Sequence, residues 1–352
     1  MRYIGNKENL CDKIYHTLQI KNIEGKSFFD FFAGTTSVGQ YFKSKGYKVF
    51  SSDLMYFSYV LQRAYITNNS FDLFDKLLQN ILIDSTNLFE TNLEKVVSFL
   101  NKISGKEGFI YENYTPTGTQ ELEQPRMFFS DQNGKIIDAI RLQIEQWKEE
   151  NLISTNEYFI LIACLLESVS FYANVAGVYA AFHKKWDPRA VKKMVLRPIK
   201  LITSKEENRS FNQDSVELLE EIQADIFYLD PPYNQRQYAP NYHLLETIAK
   251  YDNPQIKGVS GMRDYQQQKS KFCNSKTALE ELNKIALKGK FKYLVLSYNS
   301  EGIMKEKDIF SVLQKCGKVE LVEFDYLRFK SNNNGKSKHK KYIREQLYIL
   351  EK

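Results

Sequence analysis

The stretch from Phe28 to Asp53 constrains the fold more than any other. A short apolar run at 28–32 enters the turn Ala33-Gly34-Thr35-Thr36, residues 37–45 then follow with helical spacing up to Gly46, and 47–51 is a second apolar run with Asp53 just beyond it. Strand, glycine turn, helix and second strand make a right-handed βαβ unit, the entry to an open and largely parallel α/β sheet. Such sheets hold their ligands at the carboxyl edge of the strands. A helix at 9–20, with Leu10, Ile14 and Leu18 on one face, precedes the unit.

Beyond Asp53 the pattern changes. From about 56 to 200 the periodicity predicts amphipathic helices at 71–82, 90–102 and 136–150, a buried helix at 157–173 and a turn-rich stretch at 105–132. Strand spacing returns at 225–229, 293–297, 319–329 and 346–350, with helices at 242–251 and 276–287 between them. The expected organisation is a catalytic α/β domain of residues 1–55 and 209–352, interrupted by a mainly helical region at 56–208.

Composition narrows the class. With 43% hydrophobic and 26% charged residues the chain is an ordinary globular protein rather than a disordered or collagen-like one. It has no run of 18 apolar residues, and its first ten residues are already charged, which predicts no membrane span and no signal peptide and hence a cytoplasmic location. Its four cysteines are far apart with no CxxC, so no metal site is expected and the thiols read as reduced. The net charge of +6 is unevenly placed. Residues 183–200 carry seven basic side chains against Asp187, and 328–344 carry seven against none, so everything else is net acidic. Two dense basic segments on an acidic chain suit contact with a polyanion along a limited surface, although charge runs are often only solvated faces.

The chemistry concentrates where the apolar run Ile226-Phe-Tyr-Leu229 meets Asp230-Pro231-Pro232-Tyr233. Two prolines remove two backbone donors and fix φ, so the strand stops there in a rigid turn. A capped strand end would explain that much, but the pattern is expected by chance only about 0.01 times in a chain this long. A carboxylate, a proline carbonyl and an aromatic ring together suit a planar amino-heterocycle. Asp230 and the Pro231 carbonyl each accept one hydrogen of an exocyclic NH2, and Tyr233 stacks on the ring. Accepting both hydrogens frees the amine lone pair toward an electrophile. The natural electrophile is the sulfonium methyl of S-adenosylmethionine.

With these residues assembled, the sequence resembles the DNA N6-adenine methyltransferases of the Dam-like group. The elements stand in the family order: Tyr3-Ile4-Gly5-Asn6-Lys7, then Asp30-Phe31-Phe32-Ala33-Gly34, an insertion at roughly 56–208, then Asp230 to Tyr233. The resemblance implies a Rossmann-like S-adenosylmethionine-dependent methyltransferase sheet with an inserted, mainly helical target-recognition region. It also implies a cofactor pocket in which Phe32, Ala33 and Gly34 let the backbone approach, Asp53 takes the ribose hydroxyls and Asp214 accepts from the adenine amino group. Tyr3 and Lys7 are expected to close over the methionine end, and Asp230 to border both cofactor and target. For Asp53 and Asp214 a helix cap is the plainer alternative.

The implied partner is double-stranded DNA, with the target adenine flipped out of the stack. Phosphate contacts are expected from Lys184, Lys185, Trp186, Arg189, Lys192, Lys193 and Arg197, and from Lys336, Lys338 and Lys340 in the loop 331–341. Base reading is expected at 111–126 and 174–185, and residues 234–238 are expected to close over the base. A cognate restriction endonuclease is a candidate partner. A nicotinamide enzyme is disfavoured because 34–39 lacks the second glycine of the dinucleotide fingerprint. Carbon-5 cytosine methylation is disfavoured because no cysteine follows a proline. Methylation of another amino group (RNA adenine, cytosine N4, protein glutamine) and a non-catalytic DNA-binding relative remain as rivals.

Overall fold

The computed structural model describes residues 3–81, 89–327 and 342–352, so Lys336, Lys338, Lys340 and the rest of the basic loop lie outside the described residues. After a 3-10 turn, α1 (Cys11–Ile20) buries Cys11, Ile14 and Leu18. Strand β1 (Ser27–Asp30), helix α2 (Ser37–Ser44) and strand β2 (Lys48–Ser52) form the expected unit, with β1 and β2 parallel and Phe28 opposite Val49. Helix α2 stops because Gly46 takes a φ of +85°, letting the Tyr47 amide reach back to the Phe42 carbonyl. Helix α3 (Tyr56–Gln62) runs directly into a π-helical turn, Arg63–Thr67, in a stretch whose periodicity predicts no element.

The helical stretch contains α4 (Asp75–Asn80), α5 (Asn92–Leu100), α6 (Phe109–Tyr114), α7 (Asp131–Glu149) and α8 (Thr155–Tyr172). Capping boxes start α5 (Thr91 with Glu94) and α8 (Ser154 with Glu157). Helix α4 has six residues rather than the predicted twelve, because Phe74 sits in the left-handed region at φ 66° and cannot continue a right-handed helix upstream. Helix α7 begins five residues before the predicted start. Gly134 looks like a breaker in sequence, but it lies within the helix where a Cβ would come 2.4 Å from Thr115 Cγ2, so it permits close packing. Helix α6, hidden in the turn-rich stretch, is capped from outside: the amides of Ile110 and Tyr111 donate to the Asp138 carboxylate of α7 at 2.9 and 2.7 Å.

The sheet resumes with β3 (Arg209–Phe211) and β4 (Ile226–Leu229), followed by α9 (Ala239–Lys250) and a small hairpin of β5 (Ile256–Lys257) and β6 (Met262–Arg263). Then come α10 (Ser275–Lys288), β7 (Tyr293–Asn299), α11 (Glu306–Leu313), β8 (Lys318–Leu327) and β9 (Tyr342–Glu351). The seven-stranded order is β3-β2-β1-β4-β7-β9-β8. The first five strands are parallel and β9 runs antiparallel between β7 and β8, which is the expected mixed α/β sheet. All four residues of β4 are buried, as a central parallel strand requires. Its Phe227 and Leu229 pack with Phe29, Leu294, Leu296, Leu282 and Ile309 in the core.

The chain divides into two compact units. One contains the sheet and comprises Ile4–Gln62, Ser204–Ala239 and Gln267–Lys352; the other contains α4 to α8 and comprises Tyr3, Arg63–Thr203 and Pro240–Gln266. The boundaries expected from sequence differ from these at Tyr3, which falls with the helices, at residues 204–208, which fall with the sheet, and at two longer stretches. Helix α3 belongs with the sheet, and residues 240–266, expected in the catalytic domain, belong with the helices. Buried Arg141 of α7 explains the placement of 240–266, since its guanidinium donates to the carbonyls of Ile248 and Ala249 near the end of α9.

Candidate active site

At the carboxyl edge of β1 the chain turns sharply. Gly34 has a φ of +49° and Thr36, fully buried, a φ of +63°. The strain at Thr36 falls where the dinucleotide fingerprint would place its second glycine, and the Thr36 hydroxyl is held by the Thr35 carbonyl at 2.6 Å. Asp53, past the end of β2, ties this turn down. Its Oδ2 accepts from the Gly34 amide at 2.9 Å and its Oδ1 from the Met55 amide at 2.8 Å. The same edge takes in Asp214. The Asn212 side chain donates to the Asp53 carbonyl at 2.9 Å, the Ser52 hydroxyl to the Gln213 carbonyl at 2.7 Å, and the Ser215 hydroxyl to the Phe31 carbonyl at 2.5 Å. Asp214 itself caps the short helix Ser215–Leu218 through the Val216 amide at 3.0 Å. The plainer cap reading is therefore realised for Asp214, while Asp53 ties the turn after β1 to the residues that lead into α3. Ala33 and Gly34 are buried, and Phe32 is half-buried edge-on to Phe272.

The N-terminal element lies against the same turn. Asn6 Oδ1 accepts from the Glu8 amide at 2.8 Å and from the Ser37 hydroxyl, at the start of α2, at 2.9 Å. This places Lys7 beside the end of β4. Lys7 Nζ is 3.3 Å from Asp230 Oδ1 and 2.5 Å from Glu345 Oε1 of β9, and the Ser297 hydroxyl of β7 donates to Glu345 Oε1 at 2.7 Å. Lys7, which the resemblance puts at the methionine end of a cofactor, bridges two carboxylates of its own chain. Glu345 and Ser297 are not legible in the sequence, because Glu345 falls just before the strand expected at 346–350 and Ser297 is only the polar end of the apolar run 293–297. Here β9 is covered on both sides by β7 and β8, and Glu345 is 2% exposed.

Burial sets the electrostatics. It pushes the Asp230 carboxyl up to about 7, with Lys7 opposing the rise and Glu345 adding to it. Burial alone would lower Lys7, but Asp230 and Glu345 outweigh it and hold the ammonium above its ordinary range. Asp30, at the end of β1 and 2% exposed, is likewise raised to about 7 by burial, with Asp230 and Asp53 adding, against the amides of Phe32 and Gly39 that donate to it. The edge of β1, β2 and β4 thus gathers the carboxyl groups of Asp30, Asp53 and Asp230 close enough to influence one another. Pro231 is buried, Pro232 and Tyr233 half-buried, and the Tyr233 carbonyl accepts from the Ile303 amide at 3.1 Å. Residues 234–238, the expected cover for a base, are fixed within the sheet unit. An Arg236 amide bond to Asn234 at 2.9 Å and a reciprocal pair between Gln237 and Ser270 at 3.1 and 2.8 Å hold them.

The remaining predicted residues belong to the helical unit. Tyr3 stacks on Tyr242, with centroids 4.4 Å apart. Residues 183–200 form an irregular strap rather than a helix: Ala190, Met194, Leu196 and Ile199 are buried, and Lys184, Lys185, Lys192, Lys193 and Arg197 are exposed. Asn133 bonds the carbonyls of Ala190 and Lys192 and the amide of Met194, Asn101 pairs with the Leu196 backbone, and Ser168 accepts from the Arg197 amide. Trp186 is half-buried, and Arg189 is already paired with Asp187 at 2.5 Å. The 111–126 stretch is largely structural. Tyr111, Tyr114, Thr115, Thr119 and Arg126 are buried, and exposure is concentrated at 120–124. Asn174, the start of the other candidate stretch, is fully buried and bonds the carbonyls of Met127 and His183.

Comparison with known proteins agrees with the order of these elements. Residues 3–312 match the family described as D12 class N6 adenine-specific DNA methyltransferase. The whole chain aligns with the type II methyltransferase M.NlaIII of Neisseria lactamica at 37% identity, covering 99% of that protein. It aligns with the type II methyltransferase M.FokI of Planomicrobium okeanokoites at 38% and with the modification methylase StsI of Streptococcus sanguinis at 36%, spanning about half the length of each (53% and 52%). The match to the family model runs through both the glycine turn and the Asp230 to Tyr233 turn, and the chain belongs to the D12 class of N6 adenine-specific DNA methyltransferases.

Proposed function

We propose that the protein transfers a methyl group from S-adenosylmethionine to the N6 amino group of an adenine flipped out of double-stranded DNA, at a specific sequence. The observation that carries this reading is the Asp230 carboxylate at the end of the central strand β4, backed by Lys7 and followed by two prolines and a tyrosine. Asp230 and the Pro231 carbonyl accept the two N6 hydrogens, Pro232 fixes the turn and Tyr233 stacks on the base. The N6 lone pair forms the new bond to the methyl carbon as the carbon–sulfur bond breaks, its electrons remaining on sulfur. N6 then gives up one proton, for which Asp230 is the adjacent base.

The donor set at the sheet edge fits S-adenosylmethionine, which supplies an electrophilic methyl on a sulfonium sulfur. Its ribose diol and adenine amino group are hydrogen-bond donors, and Asp53 and Asp214 are acceptor-only carboxylates. The Phe32–Gly34 backbone offers a close approach where no Gly34 Cβ intervenes. In this reading the helical unit recognises the target, its exposed strap lysines hold phosphates, and residues 120–124 are the accessible candidates for base reading. The names of the relatives support a place in a restriction-modification system, with an endonuclease of the same target sequence as partner. Action on DNA in the cytoplasm is part of the same reading.

Single-molecule sequencing of DNA from cells producing the wild-type chain or Asp230→Ala tests the reading. The expected result is N6-methyladenine at one sequence with the wild type and none with the variant. A signal on cytosine N4, or full methylation by the variant, would overturn it.

A further inference from the structure

Resting on the reading of Asp230 as the acceptor for the amino group, we propose that Glu345 is a positioning residue of the reaction, one that anchors the Lys7 ammonium at the Asp230 carboxylate. Three ionisable side chains from three separate parts of the chain meet here: Lys7 from the segment before α1, Asp230 from the end of β4 and Glu345 from β9. Glu345 is the shorter and more enclosed of the two Lys7 contacts, at 2.5 Å against 3.3 Å and at 3% against 18% side-chain exposure. Ser297 fixes the same oxygen. A buried carboxylate without partners is strongly destabilising, so the pairing explains how β9 tolerates a charge in its interior.

The balance of charge gives the arrangement its use. Two carboxylates and one ammonium carry a net charge of −1 before reaction, facing an amine that becomes positive as the carbon–nitrogen bond forms. Preplaced opposite charge stabilises that transition state more than the ground state. Once Asp230 takes the N6 proton the group is neutral, with Lys7 and Glu345 left as a closed pair. Without Glu345 the Lys7 ammonium answers to Asp230 alone. It then competes for Oδ1 with the N6 hydrogen and cancels the charge the reaction needs.

The groups facing Asp230 are Lys7, Glu345, Asp30 at the end of β1 and Tyr228 of β4. Glu345 and Lys7 act on Asp230 in opposite directions, and this makes the proposal testable. The assay follows methyl transfer by the chain to DNA free of N6-methyladenine, from S-adenosylmethionine with a radiolabelled methyl, across a range of pH. Glu345→Gln is expected to lower kcat about tenfold or more with KM for both substrates little changed. It should also move the acidic limb of the profile to lower pH, by on the order of one unit. Lys7→Met is expected to move that limb to higher pH. Ser297→Ala, which frees one side of Glu345, should shift it in the same direction as Glu345→Gln by less, and it decides the matter if Glu345→Gln does not fold. Carboxyl 13C NMR of Asp230 in the protein without substrates reads the same shifts independently of what is methylated. An Asp230 titration unmoved in Glu345→Gln, or moved upward, overturns the proposal. Retained activity in Asp230→Ala would instead remove the reading on which it rests.

Discussion

The Asp53 carboxylate accepts the Gly34 amide hydrogen at 2.9 Å across the mouth of the first βαβ unit, so the acid at the end of β2 holds the shape of the turn after β1. On the proposed reading, an affinity loss on replacing Asp53 has two sources, the contact proposed to the cofactor and a loosened turn. Asp53→Asn keeps one acceptor oxygen for the Gly34 amide, whereas Asp53→Ala keeps none. A hydrogen bond to a charged group is worth about 1.5–3 kcal/mol. Titration calorimetry should accordingly show S-adenosylmethionine binding weakened by at least about tenfold in Asp53→Ala and by less in Asp53→Asn. Unaltered affinity in both would leave Asp53 as a tie for the turn alone.

Asp30 makes stability depend on pH in a direction opposite to that of a salt-bridged acid. Its folded-state pKa is raised to about 7 from an ordinary 3.8, so between those values the native state holds the proton that the unfolded chain has lost. The contribution is fully present below about 4 and is lost as pH rises through 7. Every tenfold difference in proton affinity between the folded and unfolded chain is worth roughly 1.4 kcal/mol. Asp30→Asn, which removes the titration and keeps an acceptor for the Phe32 and Gly39 amides, should gain stability over wild type as pH goes from 5 to 8. Thermal melts at the two pH values measure the difference, and a constant gap would show that Asp30 titrates normally.

The parallel half of the fold is readable because its signals are local. Apolar runs of four or five residues, a glycine at a left-handed turn and a double proline ending β4 all act within a few residues of themselves. What the sequence does not reveal depends on distant partners. Helix α6 is capped by Asp138, which lies 28 residues from Ile110. The strap at 183–200 is neither helix nor strand, and its path is set by the side chains of Asn101, Asn133 and Ser168. Glu345 meets Lys7 across 338 residues, so no spacing rule links them. The candidate site divides in the same way: Asp230 and Asp53 announce themselves by motif, whereas the carboxylate that shares Lys7 emerges only once β9 is placed between β7 and β8.

Arg126 shows how a polar residue in a turn-rich stretch can be mistaken for a reader of bases. It is 7% exposed, and its guanidinium donates to the carbonyls of Val259, Asn113 and Gly258 at 2.9, 3.0 and 3.1 Å, fastening the β5–β6 turn to the end of α6. Arg126→Met leaves three carbonyls without that partner. The expected loss is about 3 kcal/mol or more of stability, read as a lowered midpoint in urea. The target sequence of whatever folded protein remains should not change. A variant of normal stability with relaxed specificity would restore Arg126 to the base-reading surface.

The strap lysines and the exposed residues 120–124 separate by their response to salt. Each phosphate contact releases condensed counterions, so log K falls with log salt by about 0.9 per contact on duplex DNA, whatever the sequence. Lys192 and Lys193 are exposed on a backbone pinned by Asn133, a geometry that holds their charge outward. Replacing both by Gln should weaken binding to cognate and scrambled duplexes equally and flatten the slope by about two. Arg189→Gln should do less, because Asp187 already neutralises that guanidinium. Substitution within 120–124 should instead narrow the gap between cognate and scrambled duplexes at an unchanged slope, since base contacts displace few counterions. Fluorescence anisotropy across a salt series measures slope and gap together. A slope unmoved in the double lysine variant would mean that the strap's charge only solvates the helical unit, and the phosphate contacts would then have to come from basic residues elsewhere in the chain.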